Sequence, residues 1–143
     1  MKANHNRSRI KISGPFCVYC GQLANTDEHF PPASKTNFGF LLPCCRECNN
    51  IAGTEHGSDF QKRVDHVKRG LSKKYRTILT IPRWDEDDLE ELSGNLQRGI
   101  VRWQNQKRIA HSRIAWNVES YLASIDRNND FVPMVADFAI TTK

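Results

Sequence analysis

Cys17-Val18-Tyr19-Cys20, Asp27-Glu28-His29-Phe30-Pro31-Pro32 and Cys45-Arg46-Glu47-Cys48-Asn49, met in that order, decide how this chain folds. Two Cys-x-x-Cys pairs separated by residues 21–44 can supply four thiolates to one tetrahedral zinc. Four sulfurs leave such an ion no open position, so Cys17, Cys20, Cys45 and Cys48 make a structural staple. Cys44 adjoins Cys45 and competes for its place. The two-residue spacing to Cys48 selects Cys45 and leaves Cys44 as a buried, apolar-like thiol. Five cysteines are an odd number, which argues against a closed disulfide framework and for metal ligation in a reducing compartment.

Around these cysteines the local signals alternate between turn and element. Pro15 to Gly21 reads as a knuckle, with Gly21 supplying backbone freedom after the first pair. Leu23 to Phe30 reads as a strand, ended by Pro31-Pro32 because neither residue can donate to a ladder. Phe38-Gly39-Phe40-Leu41-Leu42 reads as a second strand, returning as a hairpin and stopped by Pro43. Arg46 to Ala52 reads as a short helix closed by Gly53. The result is a ββα unit pinned by zinc, and the fold class is α+β with a mainly helical C-terminal region.

That helical region begins with Phe60, Val64, Val67, Leu71, Tyr75 and Ile78, which recur at spacings of three and four and predict an amphipathic helix from about 58 to 79. Ser58 or Gly57 could open it, Asp59 is an acid suited to its first turn, and Gly70 weakens its continuity. Residues 60–79 carry seven cations (Lys62, Arg63, Lys68, Arg69, Lys73, Lys74, Arg76) against the single acid Asp65. Such a face is either simply solvated or a surface for phosphates. Pro82 breaks the chain. Asp85-Glu86-Asp87-Asp88-Leu89-Glu90-Glu91 then reads as a helix start capped by Asp85; a second metal site or pairing with the basic helix are its alternatives. Leu89, Leu92, Leu96, Ile100 and Trp103, then Ile114, Val118, Leu122 and Ile125, continue the helical period. Gly94 and Gly99 favour two helices, about 86–98 and 100–125, over one. Trp84, Trp103 and Trp116 read as core or interface. The chain therefore divides into a basic arm (1–14), the zinc-bound unit (15–56), a helical region (57–128) and a tail (129–143). The arm is either a solvated, poorly ordered segment or a phosphate-contacting tail.

Composition sets the outer bounds. A chain of 143 residues with 38% hydrophobic and 26% charged residues has a modest core, for which a metal staple is useful. No apolar run approaches the ~20 residues of a membrane helix, and the N-terminus lacks a signal peptide's apolar stretch. A cytoplasmic location without membrane contact is the expectation. The net charge of +5 and pI of about 9.1 suit a polyanionic partner.

Zinc accounts for the cysteines but not for Glu28, His29 and Asn49. Cys-x-x-Cys, Glu-His-x-x-Pro and Cys-x-x-Cys-Asn in this order resemble the HNH (ββα-metal) endonucleases, in the branch braced by two Cys-x-x-Cys pairs. The resemblance covers about residues 15–55. It implies that His29 is the general base, that Glu28 and Asn49 hold one catalytic Mg²⁺ or Mn²⁺, and that the substrate is DNA, with RNA left open. It also implies an origin among phage or mobile-element proteins. The chemistry is consistent: an imidazole with a pKa of about 6.5 can take a proton from water, and carboxylate and amide oxygens suit a hard cation. Strand neighbours face opposite ways, so Glu28 and His29 share a site only where the strand ends, which Pro31-Pro32 arranges.

Two departures stand out. Glu28 occupies a position that is Asp in many members, and Phe40 stands where the family has its middle Asn, with Asn37 out of register. Asn50 competes with Asn49, and His56 is either a loop histidine or a third ligand or phosphate contact. Lys62, Arg63, Lys68, Lys73 and Arg76 are the expected backbone contacts. The apolar stripe after Leu89 offers a homodimer interface, because one ββα unit cuts one strand. The rival expectation is a catalytically silent zinc module that binds nucleic acid or a protein.

Overall fold

The computed structural model describes residues 9–54, 57 and 59–125. Its sheet has three strands, β1 (Arg9–Lys11), β2 (Thr26–Phe30) and β3 (Gly39–Cys44), in the order β1-β3-β2. Helices follow: α1 (Arg46–Ala52), α2 (Phe60–Lys74), α3 (Arg76–Leu79), α4 (Glu86–Glu90), α5 (Gly94–Ala115) and α6 (Val118–Ser124). This is the expected mixed architecture, a small sheet followed by a mainly helical region, with the hairpin and α1 forming the ββα unit.

β2 and β3 pair antiparallel, Phe30 opposite Phe40 and Glu28 opposite Leu42. β3 does not stop before Pro43 as expected. Ile12 donates to the Leu41 carbonyl and Val18 to the Pro43 carbonyl, so the odd positions of β3 turn their polar groups away from β2. The amide that Pro43 lacks therefore falls on the side where β1 has already ended. A proline in a central strand costs no ladder bond there.

β1 was not anticipated. Arg9, Ile10 and Lys11 pair in parallel with Gly39, Phe40 and Leu41. Ile12 is buried, and the Arg9 guanidinium donates to the carbonyls of Phe40 (3.2 Å) and Thr36 (2.7 Å). Residues 9–14 thus belong with the cysteine-knuckle unit, and only 1–8 of the expected arm lie outside the described residues. The strand expected from Leu23 begins at Thr26 instead, since Leu23 makes only an isolated bridge to Phe16.

α1 spans the expected residues, with Gly53 at its C-cap. α2 opens on Asp59, whose carboxylate accepts from the Lys62 amide at 3.0 Å; Ser58 lies outside the described residues. The long helix expected to 79 breaks at Tyr75, and α3 follows. Gly70 does not break it. A Cβ there would collide with the Ile51 side chain, so the glycine lets α1 and α2 approach closely. Asp85 caps α4 and forms a capping box with Asp88. That helix ends at Glu90, and α5 runs unbroken through Gly99.

α6 returns to the front of the molecule. Val118, Tyr121 and Leu122 join Ile12, Val18, Phe30, Leu42, Val64, Val67 and Leu71 in one core that contains all five cysteines. Among the described residues, no helix is long and apolar enough to cross a membrane.

Candidate metal centre and catalytic cleft

The knuckle is built by short-range backbone bonds. Cys17 N–H donates to the Gln22 carbonyl (2.6 Å) and Gly21 N–H to the Cys17 carbonyl (3.0 Å), with Gly21 at φ 78. Only glycine takes that turn here, because a side chain would also run into the Trp116 ring. The second pair sits on the first turn of α1: Cys45 is its N-cap, and its sulfur accepts from the Cys48 amide at 3.4 Å. The ligand atoms of Cys17, Cys20, Cys45 and Cys48 all lie within 4.8 Å of one another, and all four residues are buried. The Cys20 and Cys45 sulfurs are 3.7 Å apart. Four sulfurs placed 2.3 Å from a zinc would be separated by about 3.8 Å, so the spacing fits that ion.

The protonation of the cluster points the same way. The thiols of Cys17, Cys20 and Cys45, together with burial, hold Cys48 well above the ordinary thiol value. Contacts from Cys17, Cys20 and Cys48 pull Cys45 below it. Four buried sulfurs this close cannot all carry charge without a counter-ion, which a divalent cation would supply. Cys44 stays outside the four, as expected: its thiol donates to the Cys45 carbonyl (3.3 Å), although its sulfur lies 3.8 Å from that of Cys17. The chain thus holds four cysteines fit for a structural metal ion such as zinc.

Beside this centre, β2, the turn after it and α1 enclose a cleft of about 210 Å³ whose lining includes Glu28, His29, Asn49 and Arg63. The three residues singled out in the sequence therefore reach one place, but not on equal terms. Along β2, Glu28 and Phe30 face the core and are fully buried, while His29 between them is half-buried. Asn49 donates from Nδ2 to the Asp27 carbonyl at 3.4 Å, which fixes the amide and leaves its oxygen as the atom able to coordinate. Asn50 is exposed and does not line the cleft.

Glu28 departs from its expected role as an open metal ligand. Its Oε1 accepts from Arg63 Nε (2.9 Å) and Nη2 (2.6 Å), and Oε2 accepts from the Tyr19 hydroxyl. Arg63 Nη2 also donates to the Gly53 carbonyl at 2.7 Å. Burial alone would disfavour the Arg63 cation, but the Glu28 charge outweighs it and holds the guanidinium above its ordinary value. A carboxylate and a guanidinium, each only 1% exposed, form a buried ion pair that ties β2 to α2.

The same pair removes Arg63 from the expected nucleic-acid contacts. Lys68 leaves that set too, because its Nζ donates to the carbonyls of Arg113 (2.8 Å) and Trp116 (2.9 Å). Lys62, Lys73 and Arg76 are exposed. Phe40, at the middle-Asn position, is buried core opposite Phe30 and offers the cleft no polar group. His56 lies outside the described residues.

Tyr19 and the structural role of Arg63 were missed in the sequence. One signal was available for Arg63. It stands three residues after Phe60 and four before Val67, inside the apolar stripe of α2, where a free cation is out of place.

No family model, curated protein or solved structure matches this chain.

Proposed function

We propose that the chain is a nucleic-acid endonuclease of the HNH kind, acting first on DNA, with the four-cysteine centre as scaffold and the cleft beside it as the site of hydrolysis. The observation that carries this reading is the convergence of His29, Asn49 and the Glu28–Arg63 pair on one cleft beside a metal-fit knuckle.

In this reading His29 takes a proton from a water molecule, the water oxygen attacks phosphorus, and the bond from phosphorus to the 3′ oxygen breaks. That oxygen leaves with a proton from solvent. Arg63 neutralises the buried Glu28 beside the cleft, and Lys62, Lys73 and Arg76 hold the backbone. A divalent cation, where bound, supplies charge relief on the phosphate and on the departing oxygen. The residues fit such an ion only in part. Asn49 offers an amide oxygen, but both Glu28 oxygens already accept from Arg63 and Tyr19. The family's two-ligand arrangement is therefore incomplete here.

The second reading, a silent zinc module, draws support from that incomplete ligand set and from Phe40 in the core. Plasmid nicking with Mg²⁺ or Mn²⁺ separates the two. The enzyme reading expects nicking that His29→Ala lowers by 10²–10⁴-fold, the usual worth of a general base, while its thermal midpoint stays that of the wild type. Equal nicking by both proteins, or none by either beside retained DNA binding, overturns the enzyme reading.

A further inference from the structure

The buried residue that neither the fold nor the cleft accounts for is Arg113, in the last turn of α5. It is only 7% exposed, and its Nη2 lies 3.8 Å from the sulfur of Cys45 and 3.8 Å from the sulfur of Cys48. Its other nitrogen, Nη1, donates to Glu47 Oε1 (2.6 Å) and to the Tyr75 hydroxyl (3.1 Å). The guanidinium carbon stands 5.5 Å from the centre of the Tyr75 ring. Lys68 adds a second tie: by donating to the Arg113 and Trp116 carbonyls it binds the end of α5 to α2. A cation 65 positions beyond Cys48 is thus held through Nη1 by Glu47 and Tyr75 and through Nη2 against two cysteine sulfurs, while its buried Nε has no partner among the described residues.

Electrostatics gives this placement a purpose. Four thiolates and one divalent ion carry a net charge of −2, and burying that charge without compensation is costly. A guanidinium donating to two of the sulfurs offsets part of it, and its planar fork lets Nη2 face the sulfurs while Nη1 holds Glu47 and Tyr75. Groups that hydrogen-bond metal ligands hold those ligands in orientation and strengthen metal binding.

We infer that Arg113 is part of the metal centre, the counter-ion and hydrogen-bond donor to the sulfurs of Cys45 and Cys48, so that retention of the metal depends on the C-terminal turn of α5. Arg113 is a positioning residue acting through the thiolates. The inference is independent of the nuclease reading, since it concerns the knuckle and not the cleft.

The test uses the full chain loaded with zinc and titrated with a chelator of known affinity. Arg113→Leu should bind zinc 10–100-fold more weakly, the usual effect of removing a group that supports a metal ligand, and Arg113→Lys should recover part of the loss. The cobalt-loaded protein supplies a readout that a purely structural role would leave in place. Losing a donor to two sulfurs should shift the sulfur-to-cobalt charge-transfer band in Arg113→Leu. Glu47→Gln, which removes a partner of Arg113 without touching the thiolates, should leave that band close to wild type. If Arg113→Leu fails to fold, Arg113→Gln removes the charge with less loss of length and is read in the same way. A folded Leu or Gln variant that holds zinc within twofold of wild type, with an unshifted band, overturns the inference.

Discussion

The two ends of α5 obey different rules although one sequence period runs through both. At the C-terminal end Ala110 and Arg113 are 3% and 7% exposed, and Arg113 reaches the sulfurs of Cys45 and Cys48. Toward the N-terminal end Leu96 and Trp103 are 59% and 52% exposed, and Ile100 alone is buried. Apolar spacing can nominate a helix face, but it does not say which part of that face finds something to pack on. Here the difference follows the four-cysteine cluster. Where the helix runs toward the cysteines Ala110 and Arg113 are enclosed, and the buried charge is accepted because it has partners. Two turns away even a tryptophan stays half in water.

The severest way to break this contrast is to remove the centre itself. Cys48→Ser, or prolonged chelation of the zinc-loaded wild type, should unfold the knuckle unit, because structural zinc binding in small domains is worth about 10–16 kcal/mol of folding free energy. The expected result is loss of near-ultraviolet circular dichroism together with loss of bound zinc. A zinc-free Cys48→Ser protein with a native near-ultraviolet spectrum would show that the core needs no metal.

The next test strikes the buried pair of Glu28 and Arg63. Arg63→Met leaves a carboxylate buried without its cation and should cost about 3–5 kcal/mol in urea unfolding. The fall should appear in the midpoint with an unchanged slope. A loss below 1 kcal/mol would mean that Glu28, which burial already pushes above the ordinary carboxylate range, takes a proton or reaches solvent or another cation. The smallest effect is expected at the exposed end of α5: Trp103→Ala should change stability by no more than about 0.5 kcal/mol. A loss of several kcal/mol would show that Trp103 is covered in solution, and a midpoint that rises with protein concentration would identify a second copy as the cover.

Local chemistry explains what could be read from the chain beforehand. The knuckles, α1 with its closing Gly53, the Asp85 cap and the β2–β3 hairpin all depend on residues within a few positions of each other, and each appears at or near its expected place. β1 could not be found this way, because three residues carry no periodicity and their partners lie 30 positions on, in β3. The break at Tyr75 is also non-local, since the Tyr75 hydroxyl donates to the Glu47 carboxylate at 2.8 Å. At the cleft, the sequence identified which residues meet but not what occupies them. Glu28 is claimed by an arginine 35 positions away, and neither residue signals the other in the linear text.

The placement of Arg113 has a consequence for how the chain is made. The last cysteine leaves the ribosome 65 residues ahead of the arginine that covers it. At about 5–20 residues per second, the four thiols would wait roughly 3–13 s before their lid is synthesised. During that interval they stand without their arginine cover, open to metal ions and to oxidants alike.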